Sequence, residues 1–331
     1  MKLNPIFSSN MVLAHSRPIV IFGEGKGNIK IDFCGYSVEK TIENDKWEIE
    51  LPQMEIGGPY KMELNLNGKM QTLDDVYIGE VYLCSGQSNM QFKVYESGLS
   101  RDRYNDNNLL RTFATARIEE GECFFPEDGW KICKENEVEK WSLLGYLVGD
   151  EIAKRKNVPV GIITCYQGAS VIESWLPKGL LSKNGIDIPI DKRHPDHVHE
   201  WFGKWNNEAF LYEFALKGQV LPYQVNAVLW YQGESDTSVC EGSIYANELK
   251  LLIDAWRDDF KNENLLFVII QIADYLERMD EGWHLVQEQQ LKIEKMMHNV
   301  KTIICRDVCE NDDIHPKTKD VLAHRVVEAL L

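Results

Sequence analysis

The hydrophobic rhythm of the chain changes once, near residue 75. Before that point the apolar residues come in short strand-like runs. Ile19-Val20-Ile21-Phe22 ends at Gly23-Glu24-Gly25, residues 28–33 alternate apolar and polar up to Gly35, Trp47-Glu48-Ile49-Glu50-Leu51 alternates again, and Gly57-Gly58-Pro59 turns into Tyr60-Lys61-Met62-Glu63-Leu64. A period of two puts alternate side chains on opposite faces of a strand. Short strands divided by Gly, Pro and Asn turns predict a small β-sandwich over residues 1–75. After Asp75 the runs become continuously apolar, at 76–84, 158–164, 227–231, 265–272 and 300–305. Helix-length periodic segments separate them, at 141–156, 208–216, 244–260 and 283–297, and Pro316 opens a last one at 317–331. Buried strands alternating with amphipathic helices predict an α/β domain over residues 76–331, a doubly wound three-layer α/β/α parallel sheet. Such sheets carry their sites at the carboxyl ends of strands.

Composition narrows the partners. The 331 residues carry 36 basic and 52 acidic side chains, a net charge of −16, and that surplus repels phosphate backbones, so no nucleic-acid partner is expected. The 44% apolar fraction excludes disorder. The longest apolar stretch, 265–273, is broken by Gln271 and is too short to span a bilayer, so no membrane partner is expected. Eight cysteines, at 34, 84, 123, 133, 165, 240, 305 and 309, form no C-x-x-C pair. They read as small buried hydrophobes of a reducing compartment. Ser8-Ser9-Asn10 interrupts any secretory apolar segment, and the expectation is a cytoplasmic protein.

The chemistry-bearing residues fall at strand ends. The first strand runs into Ser85-Gly86-Gln87-Ser88-Asn89-Met90. A serine at a strand-to-helix junction is either a helix cap or a nucleophile beside converging backbone N–H groups. Met90 takes the place of the second glycine of a G-x-S-x-G elbow, which counts against an α/β-hydrolase. Late in the chain, Asn311-Asp312-Asp313-Ile314-His315-Pro316 puts two carboxylates just before a histidine. A serine needs a base, and the base an orienting acid, so this loop supplies both or is a solvated acidic loop. The strand 227–231 ends in Gln232-Gly233-Glu234-Ser235-Asp236. The Gln232 amide is a candidate oxyanion donor, and Glu234 a candidate to orient Gln232 or His315. Gly168, in Tyr166-Gln167-Gly168-Ala169-Ser170, is a further N–H donor at a strand end. His194, His197 and His199 fit no catalytic zinc spacing, and Pro195 keeps them off a helix, so a polar loop near the site is expected and no metal.

These blocks resemble a known family. Residues 79–90, Trp230-Tyr231-Gln232-Gly233-Glu234-Ser235 and Asp313-Ile314-His315-Pro316 resemble, in the same order, segments of the sialate O-acetylesterase-like branch of the SGNH (GDSL-type) hydrolases, and Ile172-Glu173-Ser174-Trp175 resembles a further segment of it. Residues 6–13 resemble the start of that branch's β-domain. The resemblance implies an SGNH- or flavodoxin-like sheet and a serine esterase acting on acetylated sugars or oligosaccharides without metal or cofactor. It makes Ser88 the nucleophile and His315 the base. Gln87, Gly168, Gln232 and Glu234 become the oxyanion and substrate contacts, and Asp312, Asp313 or Glu234 the acid. Placing His315 near the last helix's N-terminus implies a neutral imidazole at pH 7. Two other readings stand beside the sialate one. They are an acetylxylan or other oligosaccharide esterase, and a carbohydrate-binding protein without catalysis. A sialic acid carboxylate calls for an arginine, and Arg111, Arg117 and Arg193 are the candidates in a chain of −16 charge, which weighs against an anionic sugar.

Overall fold

One long strand ties the two halves of the chain together in the computed structural model, which describes residues 1–99, 104–119, 121–126 and 129–331. The first half holds β1 (Lys2–Leu3), β2 (Val12–Ala14), β3 (Ile19–Glu24), β4 (Gly27–Phe33), β5 (Tyr36–Ile42), β6 (Lys46–Leu51) and β7 (Gly57–Leu66). Strands β1, β3 and β6 make a three-stranded antiparallel sheet, while β5, β4 and β7 pair antiparallel and pass into β8 (Lys69–Gly86). The alternation works as the pattern requires. In β6, Trp47, Ile49 and Leu51 are buried and Lys46, Glu48 and Glu50 exposed. Strand β5 gave no such signal because nearly all of it stays in solvent.

Strand β8 crosses the expected boundary at residue 75. Its first part pairs with β7, Tyr77–Gly79 pairs with β2, and Glu80–Gly86 lies between β13 (Val160–Tyr166) and β14 (Ala227–Tyr231). The two halves therefore share one eleven-stranded mixed sheet. The polar start of β8, with Lys69, Gln71, Asp74 and Asp75, hid this continuity, and the strand expected at 76–84 begins at Lys69.

The second half is ordered β12 (Lys131–Cys133), β9 (Asn107–Ala114), β13, β8, β14, β15 (Leu266–Ile270) and β16 (Val300–Ile303), all parallel to their neighbours except β12. A hairpin of β10 (Arg117–Glu119) and β11 (Glu122–Phe124) stands apart. The helices are α1 (Ser88–Gln91), α2 (Glu135–Val138), α3 (Leu143–Lys156), α4 (Leu180–Lys183), α5 (Val239–Asp259), α6 (Glu281–Met296) and α7 (Asp320–Leu330). The central strands β13, β14 and β15 are almost wholly apolar because both faces are covered. Tyr82, Cys84, Ile162 and Leu229 share a core with Leu144, Val148 and Ile152 of α3 and Leu322 and Val326 of α7. Leu83, Ile163, Val228 and Trp230 share the other with Leu249 and Trp256 of α5 and Trp283 of α6. Two helices differ from expectation. The segment at 208–216 forms a π-type turn at Tyr212–Lys217, and the last helix starts at Asp320, not after Pro316. Among the described residues no helix is long and apolar enough to cross a membrane. With β13 on one side of β8 and β14 on the other, the carboxyl end of β8 is the sheet's switch point.

Candidate active site

At that switch point the backbone admits only glycine at residue 86. Its φ is +127°, and a Cβ there would run into the Tyr231 carbonyl oxygen. The Gln87 N–H donates to Tyr231 O at 2.9 Å, and the N–H groups of Met90 and Gln91 both donate to Gln87 O at 3.0 Å. Those of Ser88 and Asn89 have no backbone acceptor among the described residues, as at the start of any helical turn. Ser88 opens onto a cavity of about 940 Å3. Its walls include Gln87 and Ser88 after β8, Gly168 after β13, Glu234 after β14, and His315. Of the eight residues expected at the site, these five meet at one cavity, and Asp312, Asp313 and Gln232 do not line it.

His315 lies half-buried with its ring stacked on Phe92, centroids 6.1 Å apart. Burial, and then the nearby Lys319 charge, hold its pKa below the ordinary 6.5. The cause differs from expectation: α7 begins five residues later, so the helix terminus is not what disfavours the imidazolium. No hydrogen bond joins Ser88 to the ring among the described residues, and none of the three candidate acids bonds it either. Asp313 Oδ1 accepts the backbone N–H of His315 at 2.9 Å, Asp312 is exposed, and Glu234 Oε1 accepts from Asn89 Nδ2 at 2.6 Å.

The glutamines are braces. Gln87 Oε1 accepts from Gly233 N and Gln232 Nε2, each at 3.1 Å, and its Nε2 donates to Ser235 Oγ at 3.3 Å. It thereby clamps the turn after β8 to the turn after β14. Gln232 is wholly buried. Its Nε2 is within bonding distance of Asp236 Oδ2 (2.5 Å), Ser170 O (2.9 Å) and Gln87 Oε1, and its Oε1 accepts from Tyr245 at 2.7 Å. An amide has two N–H donors, so none is left for an oxyanion, contrary to the role expected of Gln232. Gly168 fits closer to the chemistry. A Cβ on it would lie 3.8 Å from Ser88 Cβ, and its N–H donates to Gln91 Oε1 at 2.9 Å.

Two residues the sequence reading missed link the parts. Asn89 Nδ2 donates to Glu234 Oε1 and to Ile314 O (2.9 Å), and its Oδ1 accepts from Lys319 Nζ at 2.7 Å. One amide thus joins the Ser88 turn, the Glu234 turn and the His315 loop. Lys319 is fully buried, 5.2 Å from the Phe92 ring centroid and 5.0 Å from that of Tyr231, and burial lowers its pKa to about 8. Burial also raises the Glu234 pKa, and Glu234 Oε2 has no hydrogen-bond partner among the described residues. Asn89 lies within the first quoted block, and Lys319 four residues after His315, but an asparagine and a lysine in a polar loop read as solvated.

The arginine expectation is also revised. Arg111 pairs with Asp75, Arg117 with Glu119 and Arg193 with Glu173, and none lines the cavity. Arg278 does line it, donating to His194 Nε2 and to Thr237 Oγ1 (3.1 Å). The histidine loop does border the cavity, through Asp196. His194 and His197 themselves are buried, and His197 Nε2 lies 2.7 Å from Glu241 Oε1. The ligand atoms of His197, Asp236 and Glu241 lie within 4.8 Å of one another. Each is already bonded, Glu241 to the His194 N–H as well and Asp236 to Gln232 and the Ile172 N–H.

Ser88 and His315 thus face one cavity at the switch point of the sheet. Residues 78–331 match the family described as carbohydrate esterase, sialic acid-specific acetylesterase, and the chain belongs to that family. It is 27% identical over 327 residues to the sialate O-acetylesterase of Homo sapiens, covering 86% of this chain and 59% of the relative. The rat sialate O-acetylesterase is 23% identical, with 92% and 68% covered. The chain thus spans under two thirds of the human relative's length. A carbohydrate acetylesterase from Xanthomonas citri shares the fold, with TM-score 0.85 at 23% identity over 99% of this chain and 74% of that one.

Proposed function

We propose that this chain is a serine esterase that removes O-acetyl groups from carbohydrates, working in a doubly wound SGNH-type domain over residues 76–331 that is buttressed by a β-sandwich over residues 1–75. The observation that carries the reading is the convergence of Ser88 and a His315 of lowered pKa on one cavity. In the proposed mechanism the His315 ring turns from its stack on Phe92 to Ser88 and takes the hydroxyl proton. Ser88 Oγ attacks the acetyl carbonyl, and the oxyanion is held by the Ser88 N–H and by the Gly168 N–H once the latter leaves Gln91 Oε1. His315 returns the proton to the leaving sugar oxygen, and water, activated in the same way, releases acetate. Asp313 holds the His315 backbone, and its charge favours the imidazolium as it forms. Gln87, Gln232 and Asn89 keep the three turns in register.

Family membership supports a sialate-type acetyl ester, for which Arg278 is the cavity's candidate carboxylate partner. A second reading, an acetylated neutral oligosaccharide, is favoured by the carboxylates of Glu119, Glu122, Asp196 and Glu234 on the same walls. Acetate release from 9-O-acetyl sialic acid and from acetylated xylo-oligosaccharides separates the two. Ser88→Ala is expected to abolish turnover of both and of p-nitrophenyl acetate while the melting temperature holds. Unchanged turnover in that variant, or failure of Ser88 to react with a fluorophosphonate probe, refutes the serine-esterase reading.

A further inference from the structure

Two cysteines sit at the root of the loop that carries His315. Cys305 follows β16, and the Cys309 N–H donates to Cys305 O at 2.9 Å. A turn closed by a bond of this helical kind keeps α-carbons four residues apart at about 6 Å, within the span of a disulfide. The two thiols lie close enough to shift each other's ionisation. Cys305 is fully buried, with Sγ 2.9 Å from Gln271 O, whereas Cys309 is partly exposed.

The same cysteine closes the neck of the loop. Cys309 Sγ contacts Thr318 O at 3.8 Å, and next to it the Glu310 carboxylate accepts the Thr318 N–H at 3.0 Å and the Thr318 hydroxyl. Asp313 and His315 lie between these two ends, and Lys319, bonded to Asn89, comes directly after Thr318. We propose that Cys305 and Cys309 are a peroxide-oxidisable thiol pair whose disulfide opens the neck of the His315 loop and disables the site. The proximity of Cys305 and, after it, the Lys319 charge favour the Cys309 thiolate.

Cys309 sulfur attacks hydrogen peroxide, an S–O bond forms as the O–O bond breaks, and hydroxide leaves to become water. Cys305 sulfur then attacks the sulfenic acid, the S–S bond forms, and the second oxygen leaves as water. The two thiol protons end in the two waters. Peroxide gains the two electrons that the thiols lose. Closing the bond draws Cys309 sulfur away from Thr318 O and Cys305 sulfur away from Gln271 O.

The loss of activity rests on the esterase reading, but the cross-link does not. Trypsin cuts after Arg306, between the two cysteines. After peroxide treatment of the intact protein, peptides 302–306 and 307–317 are expected joined, and separated by dithiothreitol. Turnover should fall by at least about tenfold, the scale of a misplaced catalytic group, and recover with dithiothreitol. Cys309→Ser should keep basal turnover and resist peroxide. Peptides that stay separate, with both thiols still alkylatable, overturn the thiol pair. Joined peptides with undiminished turnover overturn its control of the site. A protein with no esterase activity at all would refute the proposed function and leave the peptide result to be judged alone.

Discussion

Replacing Lys319 with methionine tests the electrostatics of the site most directly. The ammonium is fully buried between Asn89, Phe92 and Tyr231, and burial lowers its pKa from 10.5 to about 8. That drop opposes folding by roughly 3 kcal/mol at pH 7, at about 1.4 kcal/mol per tenfold change in proton affinity. Below pH 8 the folded and unfolded chains both hold the proton, and the whole cost applies. Between pH 8 and 10.5 the folded chain has lost it while the unfolded chain keeps it, so the cost shrinks. Above 10.5 it vanishes. Methionine fills a similar volume and carries no charge, so Lys319→Met removes the cost but also the bond to Asn89, which is worth about 1.5–3 kcal/mol.

The two terms nearly cancel at pH 7. By pH 10 the wild type has recovered about 2 kcal/mol relative to the variant. Urea unfolding of both proteins at the two pH values reads that difference. Stability curves that run parallel, with a gap constant to within about 0.5 kcal/mol, would refute a burial-shifted lysine. Kinetics provides an independent check. Losing the cation raises the His315 pKa, so the acid limb of kcat/KM should move to higher pH in the variant, with turnover falling more at pH 6 than at pH 8.

In the wild type that acid limb should lie below pH 6.5, because burial and Lys319 both disfavour the imidazolium; a limb at or above that value, measured with p-nitrophenyl acetate, contradicts the assignment of His315 as base. Asn89→Ala strips partners from Glu234, Ile314 O and Lys319 at once, and should cost about 3 kcal/mol in chemical denaturation together with most of kcat. Gln232→Met should destabilise by about 2–4 kcal/mol by leaving Ser170 O, Gln87 and Asp236 short of donors. A fall in kcat with unchanged stability would instead make Gln232 an oxyanion donor.

What was legible in the sequence follows from how each residue is used. Buried parallel strands show as unbroken apolar runs, so β14 fell at its expected residues, 227–231, whereas β9, which carries Arg111 and Thr112 in its interior, did not stand out. The continuity of β8 across residue 75 did not show because the strand begins polar, where only β7 covers it, and becomes apolar where two sheet neighbours and helices enclose it. Ser88, just after β8, and His315, in an acidic loop, stood out as candidates by residue type, and the fold brings both to one cavity. The groups that hold them did not stand out. Asn89, Gln232 and Lys319 bond partners 145, 62 and 230 residues away, at Glu234, Ser170 and Asn89 respectively. A buried polar side chain is satisfied only by such distant partners, and nothing in its local sequence separates it from one facing water. The candidate acids are engaged elsewhere in the same way, Asp313 on the His315 backbone and Glu234 on Asn89. The charge that sets the histidine's proton affinity therefore comes in part from a lysine the motif does not contain, and it is this lysine, not the choice between Asp312 and Asp313, that the pH profile of the site should report.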